Sequence, residues 1–431
     1  MHAYPHQLAG FVLDQWAEAS GDGASTGGDL DPATLQEILS AAYQATLLRE
    51  EDRPVTFRAI FAGPEAFAAD AGPPHGLHRL VFEQPRPLTA HELRRLSLAA
   101  KFNRSLVGVS PGDDGALEIW GILHSGPRWL QSTQGGRSAG PLLPPVLVVS
   151  GTGPGRLSVS KGSVHVAKLV GGQVTGPLMD VFDSRWLPDL FTTTRNDLIA
   201  LHEQTRISSG ADWACLDPDV ARLVAQHMIR RVISTMRSRH HGGTLIVVPS
   251  DVGRSLLAEQ RSVRLKYTFR DEEPRRRFRT LLVGIMNRLA EAHAAPARVG
   301  WREYAATTDA TLQALDEAVF EVSHLIAAVA DVDGAVLLTK GFELLGFGGV
   351  IGSELPEVTT VHQALDVEGT LREAEPTDGV GTRHRSVYRL CNELPSALAI
   401  VISQDDTVRF VRRVGDDVLY WDQATLNALD V

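Results

Sequence analysis

Gly381-Thr382-Arg383-His384-Arg385 follows a polar segment running from Glu354 to Gly379 and leads into a helix-forming run that stops at Leu394, before Pro395. The order predicts a helix over 383–394 with Thr382 as its N-cap. Backbone N–H groups at a helix start bind anions, and guanidinium forks grip phosphate oxygens in pairs, so Arg383, His384 and Arg385 suit a phosphate site. The competing reading is a surface salt-bridge cluster, because the chain is biased to arginine: only Lys101, Lys161, Lys168, Lys266 and Lys340 among its 42 basic residues are lysines.

Working outward, the apolar run Ala397–Ile402 reads as a buried strand ending at Ser403-Gln404-Asp405-Asp406. About fifty residues before the arginines stands Asp333-Gly334-Ala335, between a helix over about 311–330 and the strand Val336-Leu337-Leu338. Its carboxylate sits at a turn where Gly334 permits a tight backbone and Ala335 leaves room for close approach, which suits a metal ion or a hydroxyl. An Asp-Gly pair alone is more often a plain structural turn. The glycine-rich strand Leu344–Ile351 follows and keeps one surface open. Upstream, Gly243–Val248 is a further buried strand, and Val220, Leu223, Val224, Met228, Val232 and Ile233 mark an amphipathic helix over about 217–238. Asp271–Arg277 reads as a solvated, mixed-charge helix start, and His240-His241 as a polar loop, since adjacent histidines face apart.

With both motifs and their framing strands in place, residues 240–421 resemble the diadenylate cyclase domain family. The resemblance implies a mixed β-sheet flanked by helices, ATP as substrate, cyclic di-AMP and pyrophosphate as products, and Mg or Mn as cofactor. It further implies catalysis between two face-to-face subunits, hence a homodimer or higher homo-oligomer. By this resemblance Asp333 holds the metal and helps activate the 3′-hydroxyl. Arg383, His384 and Arg385, with Thr382 and Ser386, hold the triphosphate. Gly334 and Ala335 present backbone to adenine, and Ser403 reaches a phosphate. Three departures stand out. The segment between the motifs is longer than the family's. Gly352 occupies the place of an adenine-covering leucine. The usual Ser-Glu pair reads Ser403-Gln404, which leaves Asp405 as the substitute metal ligand.

The N-terminal part has a different texture. Short apolar runs over 55–61, 106–109, 117–123, 146–149 and 163–167 suit strands, interrupted by a helix around 91–101, which together predict an α+β domain with a mainly antiparallel sheet. Gly151–Arg156 reads as a hairpin turn, since a phosphate loop would open a helix and a strand follows here. Glu50–Arg53 reads as a solvated charge run, while Trp120, Trp129 and His124 either line a pocket or belong to the core. This part looks like the amino-terminal sensor-type modules fused to some soluble members of the family; its ligand is not legible. The predicted division is a sensor-type α+β domain over 1–200, a helical connector over 201–239 and the cyclase-like domain over 240–431.

Whole-chain properties set limits. The 431 residues carry a net charge of −10, which disfavours a broad nucleic-acid surface. Cys215 and Cys391 form no zinc or disulfide pattern, and no membrane span or signal sequence is evident, so a cytoplasmic protein is expected. The expected function is a diadenylate cyclase regulated by its N-terminal domain; the alternative is a catalytically silent nucleotide-binding sensor of the same fold.

Overall fold

The computed structural model describes all residues except 1, 18–29, 73–75, 103, 125–142, 163, 177–178, 238, 240, 296, 404–406 and 424–431. The fold is α+β, in two compact units, the second beginning at Met179.

The first unit is built on eight strands: β1 (Phe57–Phe61), β2 (His78–Pro87), β3 (Ser105–Pro111), β4 (Leu117–His124), β5 (Leu147–Gly153), β6 (Arg156–Lys161), β7 (Val164–Val170) and β8 (Gln173–Thr175). Their order is β8-β7-β6-β5-β1-β3-β4-β2, antiparallel throughout except between β1 and β3. Helices α1 (Pro5–Gln15), α2 (Pro32–Thr46) and α3 (Ala90–Leu96) cover one face, where Leu8, Leu35, Leu39 and Leu93 pack on Phe57, Val107, Val149 and Val159. Helix α2 starts where the sequence asks it to: Asp31 accepts the Thr34 N–H and Pro32 opens the first turn. Gly151–Arg156 is the β5–β6 hairpin, with Gly153 and Gly155 at positive φ. Trp120 is core, its indole N–H donating to the Ala62 carbonyl at 2.7 Å, and Trp129 lies outside the described residues. The charged run before β1 is an exposed turn with Glu51 and Asp52 at positive φ.

The main sheet of the second unit has nine strands among the described residues: β9 (Gly243–Val248), β10 (Val263–Thr268), β11 (Ala335–Thr339), β12 (Leu344–Ile351), β13 (Thr360–Ala364), β14 (Arg372–Pro376), β15 (Leu398–Ile402), β16 (Val408–Val414) and β17 (Asp417–Gln423). They form one mixed sheet in the order β10-β12-β11-β9-β15-β16-β17-β13-β14, with β9/β11 and β13/β17 parallel. The helices of this unit include α4 (Thr192–Ser209), α5 (Asp219–Arg237), α6 (Ser250–Glu259), α7 (Arg277–Glu291), α8 (Ala310–Ala330) and α9 (Thr382–Glu393). Leu245 and Val247 of β9 face α5 and α8, while Ile246 and Val248 face α6 and α9. A strand buried on both sides must be apolar at every position, which is why Gly243–Val248 reads as one run. Helices α4 and α7 pack outside α5 and α8 through Leu198, Val224, Met228, Leu281, Ile285 and Leu312. The helices of 192–237 therefore contribute directly to the second unit's core.

Two sequence expectations change here. The polar segment 354–379 contains the β13–β14 hairpin that completes the sheet; β14 is the outermost strand, and its Arg372, Glu373 and Glu375 suit an edge that must not pair with other chains. The charged run 271–277 is only partly solvated. The Arg275 side chain is 9% exposed and its Nε donates to Glu343 at 2.7 Å, which pins the start of α7 to the β11–β12 turn.

Candidate functional site

Strand register gathers the motif residues. Gly243 at the start of β9 stands opposite Ile402 at the end of β15, and Thr244 stands opposite Ala335 at the start of β11. The beginnings of two strands and the end of a third therefore share one sheet edge. Asp333 and Gly334 lie exposed at that edge, and Ala335 is the first buried residue after them. Gly334 has φ +118°, and a Cβ there would fall 2.6 Å from the Gly348 carbonyl carbon, so only glycine lets the Asp333 turn close against β12. Ion pairing of Arg239 with Asp331 at 2.5 Å ties the end of α5 to the end of α8, just before the two chains enter β9 and β11.

Helix α9 brings the arginines to the same place. Its N-cap is Gly381 and no side chain caps it; Thr382 is the first helical residue, which corrects the expected capping role. An uncapped start leaves first-turn N–H groups directed outward, where an anion can take them. Arg383 is half-buried, and its Nη1 donates to the Ile402 carbonyl at 3.4 Å. A Cβ on Gly242 would fall 2.5 Å from that Nη1, so Gly242, at φ +71°, makes room for the guanidinium. Thr382 and Arg385 are exposed on the first turn, with His384 and Ser386 half-buried. Ser403 directly follows Ile402; its N–H donates to the Thr407 carbonyl at 2.9 Å and its Oγ shares a hydrogen bond with Thr407 Oγ1 at 2.5 Å. Gln404 and Asp405 lie outside the described residues, and with them the second expected metal ligand. Gly352 follows β12 where that strand runs past the start of β11, its N–H donating to Ser262 at 3.0 Å. Asp333, Gly334, Ala335, Arg383 and Ser403 thus share the edge, the other α9 residues flank it, and Gly352 lies further along one side.

Behind α9 is a network the sequence did not announce. The His384 ring lies 6.4 Å from that of the fully buried Tyr388, whose hydroxyl accepts from Arg409 at 3.0 Å. Arg409 forks onto Asp422 at 2.7 and 3.3 Å and lies 3.9 Å over the Tyr420 ring. Tyr420 donates to Glu375 of β14 at 2.6 Å. Burial raises the Tyr388 phenol; burial and the Glu375 bond raise that of Tyr420, so both stay protonated donors. Tyr267, 45% exposed and stacked on Phe347 at 4.8 Å, flanks the edge on the other side: a Cβ on Gly348 would sit 3.6 Å from Tyr267 and 3.9 Å from the Asp333 carbonyl. The network joins α9, β14, β16 and β17, and Tyr267 meets Phe347 from β10 across to β12, so sequence spacing carries little trace of these meetings.

Among the described residues no group of three or more His, Cys, Asp or Glu side chains could hold a metal ion. One exposed carboxylate nonetheless fits a hard cation of the Mg²⁺ type, which keeps several waters and is completed by phosphate oxygens. Two apolar cavities of about 40 Å³ each, lined in common by Leu187, Phe191, Ile229 and Phe342, include none of the motif residues. Among the described residues no helix is long and apolar enough to cross a membrane.

Residues 30–124 match a family described as a probable sensor domain, DACNV, a module associated with diadenylate cyclases. No curated protein and no solved structure matches the chain.

Proposed function

We infer that the second unit is a diadenylate cyclase domain under the control of the sensor-type first unit. The observation that carries this reading is the convergence of Asp333-Gly334 and Arg383 on one sheet edge, in a chain whose residues 30–124 match the DACNV sensor domain. In the proposed reaction the 3′-oxygen of each ATP attacks the α-phosphorus of the other. Each attack forms one phosphodiester bond and releases one pyrophosphate, so two ATP give cyclic di-AMP and two pyrophosphates. Such transfers depend mainly on positioning and charge neutralisation.

Arg383 and Arg385 would fork onto the triphosphate, with the outward N–H groups of the α9 start, Thr382, His384 and Ser386 completing the cradle. Ser403 would add a hydroxyl from the opposite strand end. The open backbone at Gly334 and Ala335 would let adenine lie close, with Gly352 at the rim. Asp333 would accept from the 3′-hydroxyl and hold a Mg²⁺ or Mn²⁺ ion, which when bound supplies charge to the phosphate oxygens. Because each subunit holds one ATP in this scheme, two copies of the chain must meet.

The test is incubation of the pure full chain with ATP and either metal, followed by mass spectrometry. Cyclic di-AMP is expected from the wild type and not from Asp333→Asn; absence of product under both metals in a confirmed dimer would refute the activity. The second reading, a silent nucleotide sensor, draws on Gly352 in place of leucine and on Gln404 in place of glutamate. ATP binding without turnover, unchanged in Asp333→Asn, would favour it.

A further inference from the structure

The uncovered question in the first unit is what its second sheet face is for. Facing α1, α2 and α3, strands β1, β5, β6 and β7 present Phe57, Val149, Leu157, Val159 and Ala167, as a buried face should. Facing the other way, the same strands present a polar row. Arg58 stands opposite Ser150, Ser150 opposite Ser158, and Ser158 opposite Lys168, so four adjacent strands contribute one residue each at one level. Ser160 lies two residues along from Ser158, and a register shift in the β6–β7 pairing brings His165 opposite it, with Nδ1 3.2 Å from Ser158 Oγ.

Burial runs along this row. Arg58 is 0% exposed, with Ser150, Ser158 and Ser160 also buried, whereas Lys168 and His165 near the β8 side are half-buried. Enclosing a guanidinium and three hydroxyls in a sheet face costs free energy that apolar side chains would not. The neighbouring part of this same face is apolar at Ile60, Leu106, Trp120 and Val148, so the polar row is a local choice of sequence. The six residues include two fixed cations and no carboxylate. Burial, followed by the charge of Lys168, lowers the His165 pKa to about 4, which keeps the imidazole neutral and able to both donate and accept.

We propose that this row, Arg58, Ser150, Ser158, Ser160, His165 and Lys168, is the sensor unit's ligand site and that it takes a small oxyanion, a phosphate or a carboxylate. A guanidinium fork at the deep end, an ammonium at the outer end and hydroxyl donors between them are the groups that bind such oxygens. An arriving oxyanion joins or exchanges with the hydrogen bonds these groups already make. The proposal rests on the sensor reading of the first unit and is independent of whether the second unit makes cyclic di-AMP.

Thermal unfolding of the full chain, without ATP and in the Arg383→Ala background to silence the other anion site, tests it. Inorganic phosphate and citrate are titrated against sodium chloride at matched ionic strength. The expected result is a concentration-dependent rise in Tm above the chloride control, with the stronger anion identifying the ligand as phosphate-bearing or carboxylate-bearing. Lys168→Gln, at the half-buried outer end, and Ser160→Ala, a small change at a buried hydroxyl, are expected to weaken the response about tenfold, and Arg58→Met to remove it. No rise with either anion, or an undiminished rise in both Lys168→Gln and Ser160→Ala, overturns the assignment.

Discussion

Gly334 does for Asp333 what no other residue can: its φ of +118° and the lack of a Cβ, which would fall 2.6 Å from the Gly348 carbonyl carbon of β12, fix where the turn sits. Gly334→Ala is expected to cost about 1–3 kcal/mol in stability and to abolish cyclic di-AMP formation, whereas Asp333→Asn should lose activity at unchanged Tm. Calorimetry beside the mass-spectrometric assay separates the two; wild-type stability in Gly334→Ala would show that the turn relaxes freely. His165 gives a pH signature. Below about 6.5 the unfolded chain takes up a proton that the folded imidazole refuses until about 4. Stability of the first unit therefore falls as pH drops through this window, by about 3 kcal/mol in all, and His165→Gln should flatten that part of the profile in urea titrations at stepped pH. Residues with chemistry in their letters, Asp333 and Arg383, could be picked out from sequence. Gly242, Tyr267 and Arg58 could not, because their importance lies in what stands across the sheet from them.

At the level of elements, α9 is a helix start with no side-chain cap, anchored from behind. Tyr388, Arg409, Asp422, Tyr420 and Glu375 link it to β16, β17 and β14. Arg409→Met leaves the Tyr388 and Asp422 oxygens without their donor and is expected to destabilise the second unit by about 1–3 kcal/mol and to raise the KM for ATP more than it lowers kcat. An unchanged KM alongside the stability loss would mean that the network supports the fold without positioning the arginines. Which elements were legible follows from their surroundings. Strand β9 announced itself by burial on both faces, and α2 by Asp31-Pro32. Strand β2 was missed because Pro85 and Pro87 argue against a strand, yet it is the edge strand where proline is tolerated. Strand β14 was hidden by charges that belong to an outer edge, and β13 by a short polar run in which only Val361 and Ala364 are buried.

At the scale of the whole molecule, the open question is how many chains make one reaction centre. In the proposed reaction each such edge would serve a single ATP: among the described residues it offers the Asp333 carboxylate, the arginine-bearing start of α9 and a glycine-lined surface. Ring closure needs two ATP in opposed orientations, which a two-fold axis supplies at no cost in sequence because each subunit repeats the same half. A mixing experiment reads this directly. If both transfers require two intact halves, activity follows the fraction of fully wild-type dimers, so equimolar wild type and Asp333→Asn, exchanged to equilibrium at constant total protein, should retain about a quarter of the wild-type rate. If each chain acts alone, half remains. Dilution gives the companion readout: specific activity should fall as the dimer dissociates, and Asp333→Asn added to a dilute sample should trap wild-type chains in inactive pairs. A linear response to the wild-type fraction, with specific activity independent of concentration, would remove the second chain from the mechanism and require both nucleotides to be held by one.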